Sequence, residues 1–216
     1  MIIAIDGPAG SGKSTTSKLV AERLGISHLD TGSMYRAVTL YFIENQYHVG
    51  EVDIDEVLES IDKEISNELV FLNGRDVTSK LRDPKVSSLV SDISSLQKVR
   101  FKMVQLQRNI SENKSIVIDG RDIGTVVFPE ADFKFFITAS IEVRASRRFD
   151  ELKASNSDIT LDEILGQIEK RDYFDSTRDN SPLKKASDAI TIDTTRLSID
   201  EQVNLILETI NNNARR

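Results

Sequence analysis

Gly7-Pro8-Ala9-Gly10-Ser11-Gly12-Lys13-Ser14 reads G-x-x-x-x-G-K-S, the spacing of a phosphate-binding loop. The apolar run Met1-Ile2-Ile3-Ala4-Ile5 precedes it and a segment of helical character follows, the context the motif requires. Its glycines allow a tight turn whose N–H groups point inward at phosphate oxygens. Lys13 is placed to reach the β- and γ-phosphates, and the Ser14 hydroxyl to take a position on Mg²⁺. A nucleoside triphosphate and a metal are therefore expected; what the triphosphate is used for is not.

Working outward from the loop, short apolar runs recur at Ser115 to Ile118, Phe133 to Ile137 and Ala189 to Ile192, with a weaker one at His28-Leu29. They show little alternation, as in a parallel sheet buried on both faces. Helical spacing links Met34, Ala37, Val38, Tyr41 and Phe42. It recurs at Val86, Leu89, Val90 and Ile93, continuing to Leu96, Met103 and Ile110. Leu161, Ile164, Leu165 and Ile168 form another stripe, and Ile199, Val203, Ile206 and Ile210 the last. Thr160 with Glu163 and Ser198 with Glu201 read as capping boxes.

Residues 48 to 82 break the alternation. A short helix (Val57, Leu58, Ile61) is followed by Glu68 to Val77, with Asn73-Gly74 between extended runs, a hairpin signal. A hairpin does not suit an all-parallel sheet, so an inserted subdomain is expected. The polar stretch Lys153 to Asp158 reads as a mobile lid tip, and the tail Asn211 to Arg216 as a fraying end.

The 216 residues suffice for one α/β core with a small insertion. Cysteine is absent, which rules out disulfides and thiolate metal sites. The formal net charge of -7 disfavours broad nucleic-acid binding. No apolar run approaches the roughly 20 residues needed to span a bilayer. The amino terminus reads as a strand and not as a signal segment, so a cytoplasmic location is expected. Cations are nevertheless concentrated locally, as Arg144, Arg147 and Arg148 and as Arg171 and Arg178.

Three further motifs carry chemistry. Asp30-Thr31-Gly32-Ser33-Met34-Tyr35-Arg36 lies where a second strand should end and a helix begin. Thr31 is expected to cap that helix and Arg36 to contact a phosphate. Asp119-Gly120-Arg121-Asp122-Ile123-Gly124-Thr125 follows an apolar strand. The strand-terminal Asp119 resembles a Walker B carboxylate near the magnesium shell, with Arg121 and Asp122 protruding at the same edge. In Arg171-Asp172-Tyr173-Phe174-Asp175-Ser176-Thr177-Arg178, a continuing helix would put Arg171, Asp175 and Arg178 on one face. An Asn-Lys-x-Asp guanine motif is missing, since Asn113-Lys114-Ser115-Ile116 lacks the aspartate. That disfavours a regulatory GTPase.

G-P-A-G-S-G-K-S-T, D-T-G-S-M-Y-R, the hairpin insertion, D-G-R-D-I-G-T-V-V-F-P and R-D-x-x-D-S-x-R-x-x-S-P-L occur in that order. Over nearly its whole length the chain thereby resembles the bacterial-type cytidylate kinases, P-loop nucleoside monophosphate kinases; Ser33 stands where many relatives have Ala. The resemblance implies an α/β fold: a P-loop kinase core with a five-stranded parallel sheet flanked by helices. It implies one domain over residues 1–216. Within it lie a nucleoside monophosphate-binding region at about 31–110, its hairpin near 65–80, and a helical lid at about 144–171.

The implied reaction moves the γ-phosphoryl group of ATP to CMP or dCMP, with Mg²⁺ and with no nucleic acid or membrane partner, in a monomer. Gly7, Pro8, Ala9, Gly10, Ser11, Gly12, Lys13, Ser14 and Thr15 would hold ATP, with Ser14 on the metal. Lys13, Arg147 and Arg178 would act on the transferred group, with Arg148 as the other lid arginine. Arg36, Arg121 and Arg178 would grip the acceptor phosphate, and Thr31 would belong to the CMP-binding residues. Ser91, Arg100 and Asp122 would read cytosine, and Arg171 with Asp175 would bind the sugar. A UMP kinase and a nucleotide-gated switch without an acceptor are the alternatives.

Overall fold

In the computed structural model, residues 1–61, 63–66, 69–153 and 159–213 are described. Residues 62, 67–68 and 214–216 and most of the polar stretch at 153–158 lie outside them. The chain divides into two compact units. One comprises residues 1–28 with 113–216, the other 29–112.

The first unit is built on a sheet in the order β2-β6-β1-β7-β8, a five-stranded parallel sheet flanked by helices. Its strands are β1 (Ile2–Asp6), β2 (Ser27–Asp30), β6 (Ile116–Gly120), β7 (Phe133–Thr138) and β8 (Ile190–Asp193); the unit boundary falls within β2. Strand β1 pairs with β6 from Ile2↔Ile116 to Asp6↔Gly120, and with β7 from Ile3↔Phe133 to Asp6↔Phe136. Paired on both edges and covered on both faces, it tolerates only apolar side chains until its last residue.

The core joins Ile3, Ile5, Val117, Phe135, Ile137 and Ile192 to Val20 and Ala21 of α1 (Lys13–Leu24). Val203, Ile206 and Ile210 of α8 (Ile199–Asn213) complete it. Strand β8 is an edge: Ile192 is buried while Thr191 and Asp193, on the opposite face, are exposed, so the strand is covered on one face only.

Helices α6 (Ile141–Lys153) and α7 (Leu161–Thr177) share a smaller apolar cluster around Ala145, Ile164 and Ile168. Helix α7 starts on the expected capping box: Thr160 Oγ1 accepts from Glu163 N and the Glu163 carboxylate accepts from Thr160 N. Thr160→Ala is expected to lower stability by about 1 kcal/mol, read as a small drop in urea midpoint at unchanged m-value. Helix α8 has the equivalent box at Ser198 and Glu201.

The second unit carries α2 (Thr31–Glu44), α3 (Ile54–Glu59), α4 (Pro84–Ser95) and α5 (Gln97–Ser111) with a small antiparallel sheet. Its strands are β3 (Lys63–Ser66), β4 (Leu69–Leu72) and β5 (Arg75–Asp76). The β4–β5 turn is Asn73-Gly74, with φ of 50° and 72°. Two consecutive positive φ values are what a type I′ turn demands, and Asn-Gly adopts them at least cost.

Three expectations require correction. Asp30, not Thr31, caps α2: its carboxylate accepts from Ser33 N, and Thr31 is the first helical residue. The stripe from Val86 to Ile110 is not one helix, because Leu96 has ψ 124° and separates α4 from α5. Just before it, Ser94 and Ser95 donate their hydroxyls to the Ser91 and Asp92 carbonyls, local bonds that compete with the helix ladder. Leu89, on the expected buried stripe, is 44% exposed. Helix α7 also stops at Thr177, so Arg178 is its extended C-cap and not part of a continuing face.

Candidate active site

The loop that follows β1 crosses the carboxyl end of the sheet and ends on α1. Gly7 is required by close approach, since a Cβ there would lie 2.1 Å from the Ile137 carbonyl oxygen. Lys13 opens α1 and donates from Nζ to the Pro8 carbonyl at 3.3 Å. The amino end of this 12-residue helix therefore offers backbone N–H groups and a lysine to an anion. Pro8 is buried, and Thr15 lies exposed on the first turn.

Ser14 Oγ donates to Asp119 Oδ2 at 2.6 Å, and His28 Nε2 meets Asp119 Oδ1 at 2.9 Å. Asp119 is the next-to-last residue of β6 and is buried. Hydroxyl and carboxylate make an oxygen donor pair of the kind Mg²⁺ takes when phosphates complete its shell. Among the described residues no group of three His, Cys, Asp or Glu is arranged to hold a metal by itself. His28 was not foreseen. It sits one residue from a strand end, and nothing in its neighbours distinguishes it from a core histidine.

Two arginines of α6 hold the loop's carbonyls. Arg147 donates to Ser11 O at 3.3 Å and to Thr194 O at 2.8 Å. Burial pushes its guanidinium below the ordinary arginine range. Arg144, itself buried, donates to Ala9 O at 3.2 Å and to Ala139 O at 3.1 Å, and pairs with Asp172 at 2.6 Å. Arg148 is turned elsewhere and pairs with Glu151.

A second cluster in the same unit centres on Asp175 of α7, 3% exposed. Arg121 Nε approaches its Oδ2 at 2.9 Å, Arg178 Nη1 its Oδ1 at 3.7 Å and Arg171 Nε its Oδ2 at 3.9 Å. Burial pushes the Asp175 carboxyl up, but the guanidiniums of Arg121, Arg171 and Arg178 outweigh it and hold it below the ordinary range. Four residues from two distant motifs thus converge with a net positive charge. Asp122, expected to protrude, is 3% exposed. It begins the π-helical turn Ile123–Val127.

In the other unit, Arg36 on α2 donates to Leu81 O at 3.2 Å and to Ser87 Oγ at 3.0 Å. Arg100 on α5 is buried, donates to Ser94 O at 3.1 Å and lies 5.3 Å from the Tyr35 ring centroid. Ser94 Oγ in turn donates to Ser91 O at 3.1 Å. Arg100 and Ser91 are therefore tied through the α4–α5 junction. Thr31, at the start of α2, is buried.

The sequence model of the cytidylate kinase family matches residues 3–212. The cytidylate kinase of Fusobacterium nucleatum is 46% identical over 211 residues, which is 97% of each chain. That of Carboxydothermus hydrogenoformans is 49% identical over 215 residues, again 97% of each. Among solved structures, an uncharacterized protein from Eubacterium ventriosum has a TM-score of 0.56 at 15% identity, covering 98% of both chains. A gluconokinase from Sinorhizobium meliloti has a TM-score of 0.52 at 11% identity, covering 99% of this chain and 93% of its own. At these identities the last two are likenesses of fold alone. No helix among the described residues is long and apolar enough to cross a membrane.

Proposed function

Because the chain belongs to the cytidylate kinase family and is thereby an ATP-dependent CMP kinase, we propose a division of work among its residues. The loop Gly7 to Thr15 binds ATP, and Lys13 follows the γ-phosphoryl group as it moves. Ser14, with Asp119 beside it, holds Mg²⁺. Mg²⁺ held by these two residues would supply compensation for the negative charge of the phosphates during transfer. His28 orients the Asp119 carboxylate by its bond to Oδ1.

Arg121 and Arg178, with Arg36, grip the acceptor phosphate. Arg171 and Asp175 take the sugar of CMP or dCMP, and Thr31 is among the CMP-binding residues. Arg147, anchored on the Ser11 carbonyl, keeps the loop in shape and lends its charge to the transfer. Residues about 144–171 act as a lid, and residues about 31–110 form the nucleoside monophosphate-binding region. The observation that carries this reading is the convergence of Arg121, Arg171 and Arg178 on the buried Asp175 in a chain whose other phosphate site is the Gly7–Ser14 loop. Phosphoryl transfer needs two anions brought in line and their charge compensated, with little covalent chemistry from the protein. An ionised acceptor phosphate needs no dedicated base. The substrates are free nucleotides, so we place the enzyme in the cytoplasm, acting as a monomer.

Cytosine is read by Asp122, which accepts from the N4 amine, while Arg100 and Ser91 donate to N3 and O2. UMP presents a carbonyl in place of the amine and leaves these groups mispaired, at about 1–3 kcal/mol each. Expected kcat/KM values are at least about tenfold higher for CMP and dCMP than for UMP. ADP formation across CMP, dCMP, UMP, AMP, GMP and dTMP measures this. Equal kcat/KM for UMP and CMP would defeat the base assignment, and no turnover with CMP would defeat the kinase itself.

A further inference from the structure

We infer that Asp6 is a positioning residue for acceptor recognition, its carboxylate fixing the loop that carries Arg121 and Asp122. Asp6 is the last residue of β1 and directly precedes the phosphate-binding loop. Its main chain therefore launches the donor loop, while its side chain points to the neighbouring strand end. Oδ1 accepts from Ile123 N and Oδ2 from Gly124 N, both at 2.8 Å. Those N–H groups open the π-helical turn Ile123–Val127. They are the unpaired donors that every helical start must satisfy. With both oxygens used, the carboxylate sets position and rotation of the backbone immediately after Arg121 and Asp122.

The arrangement is costly to folding. Asp6 is 4% exposed. Burial pushes its carboxyl up from 3.8 to about 6, with Asp122 nearby adding to the rise and the two backbone N–H groups and Arg121 opposing it. A raised acid binds protons more tightly in the folded state than in the unfolded one. Stability is therefore lost as pH climbs from about 4 to 6, and an ionised Asp6 at neutral pH is a net cost. A strand end serving only the fold would be better filled by an apolar residue, as Ile5 fills the position before it. A carboxylate is needed where a loop bearing charged readers must be held in one conformation.

This inference rests on the CMP kinase reading above. Asp6→Asn keeps the shape but turns an N–H donor toward one of the two backbone N–H groups. Its KM for CMP is expected to rise by about tenfold and its CMP-over-UMP preference in kcat/KM to fall by a similar factor, while KM for ATP stays within about threefold. A purely structural role would lower thermal stability and leave the CMP-to-UMP ratio where it was. Gly124→Ala is the second variant. Its Cβ would crowd Lys134 Cδ at 3.2 Å and come into van der Waals contact with Asp6 Oδ2 at 3.4 Å, and it should shift the same two parameters the same way by less. If Asp6→Asn does not accumulate folded, Gly124→Ala decides. Unchanged KM for CMP and unchanged base preference in the folded variant overturn the inference, and so does a rise in KM for ATP equal to that for CMP. Wild-type protein that fails to phosphorylate CMP would instead refute the kinase assignment, whatever the variants do.

Discussion

Lys13→Ala is expected to lower kcat for CMP phosphorylation by about a thousandfold, the upper end of the loss seen when one preorganised charge or donor leaves a transition state. The lysine opens α1, is 8% exposed, and its Nζ lies at hydrogen-bond distance from the Pro8 carbonyl inside its own loop. An ammonium held there at little entropic cost can interact more strongly with a migrating phosphoryl group than with bound ATP. That difference raises kcat and not merely affinity. The fold should survive. The hydrogen bond of the side chain to the Pro8 carbonyl is worth about 1 kcal/mol net, and its removal also relieves a buried charge. Steady-state ADP production with saturating ATP and CMP measures the rate, and a thermal melt checks the fold. A folded variant turning over at nearly the wild-type rate would remove Lys13 from the mechanism.

The second large effect is expected at Asp175. Asp175→Ala should weaken CMP binding by about tenfold to a hundredfold and leave ATP affinity nearly unchanged. It should also cost about 3–5 kcal/mol of stability, the penalty for breaking a buried ion cluster by removing one partner. Arg121, Arg171 and Arg178 would be left facing one another without the anion between them. Isothermal titration with each nucleotide and urea denaturation report the two effects separately. A large loss of ATP affinity with CMP affinity intact would contradict the sugar-side assignment.

The pH dependence has a definite sign. Asp175 is held below its ordinary value of 3.8, so its contribution is fully present above about pH 4 and disappears as pH falls through the depressed folded value. The stability gap between wild type and Asp175→Asn should therefore narrow below pH 4. A gap that stays constant from pH 7 to pH 3 would mean that the carboxylate is not held ionised by its three arginines.

Much of this site was legible along the chain. The loop Gly7–Ser14 depends on local spacing, because backbone N–H groups, lysine and hydroxyl come from consecutive residues. The Asn73-Gly74 turn was legible for the same reason, since two positive φ values are a local demand. Capping at Thr160 and Ser198 likewise involves residues three apart. What misled the reading was competition between local signals. Asp30 and Thr31 are both good caps, and the longer reach of the Asp30 carboxylate to Ser33 N decided between them. Hydrophobic periodicity ran through Leu96, while the hydroxyls of Ser94 and Ser95 drew the carbonyls of the preceding turn and the helix ended there.

The contacts that turn the loop into a site join residues far apart in sequence. His28 meets Asp119, Arg147 meets Ser11, Arg121 meets Asp175, and Asp6 holds the N–H groups of Ile123 and Gly124. None of these pairs has a periodicity or a motif of its own. They exist because a parallel sheet sets the ends of β1, β6 and β7 side by side, so that the loop after β6 carries Arg121 and the helix after β7 carries Arg147 at that edge. The sequence by itself determined the fold class, the phosphate loop and the family, since each rests on short-range spacing or ordered motifs. Only the tertiary structure decided which carboxylate holds which loop and which arginines share Asp175. Those choices depend on burial and on distances of a few ångströms, and the linear order of residues does not encode them locally.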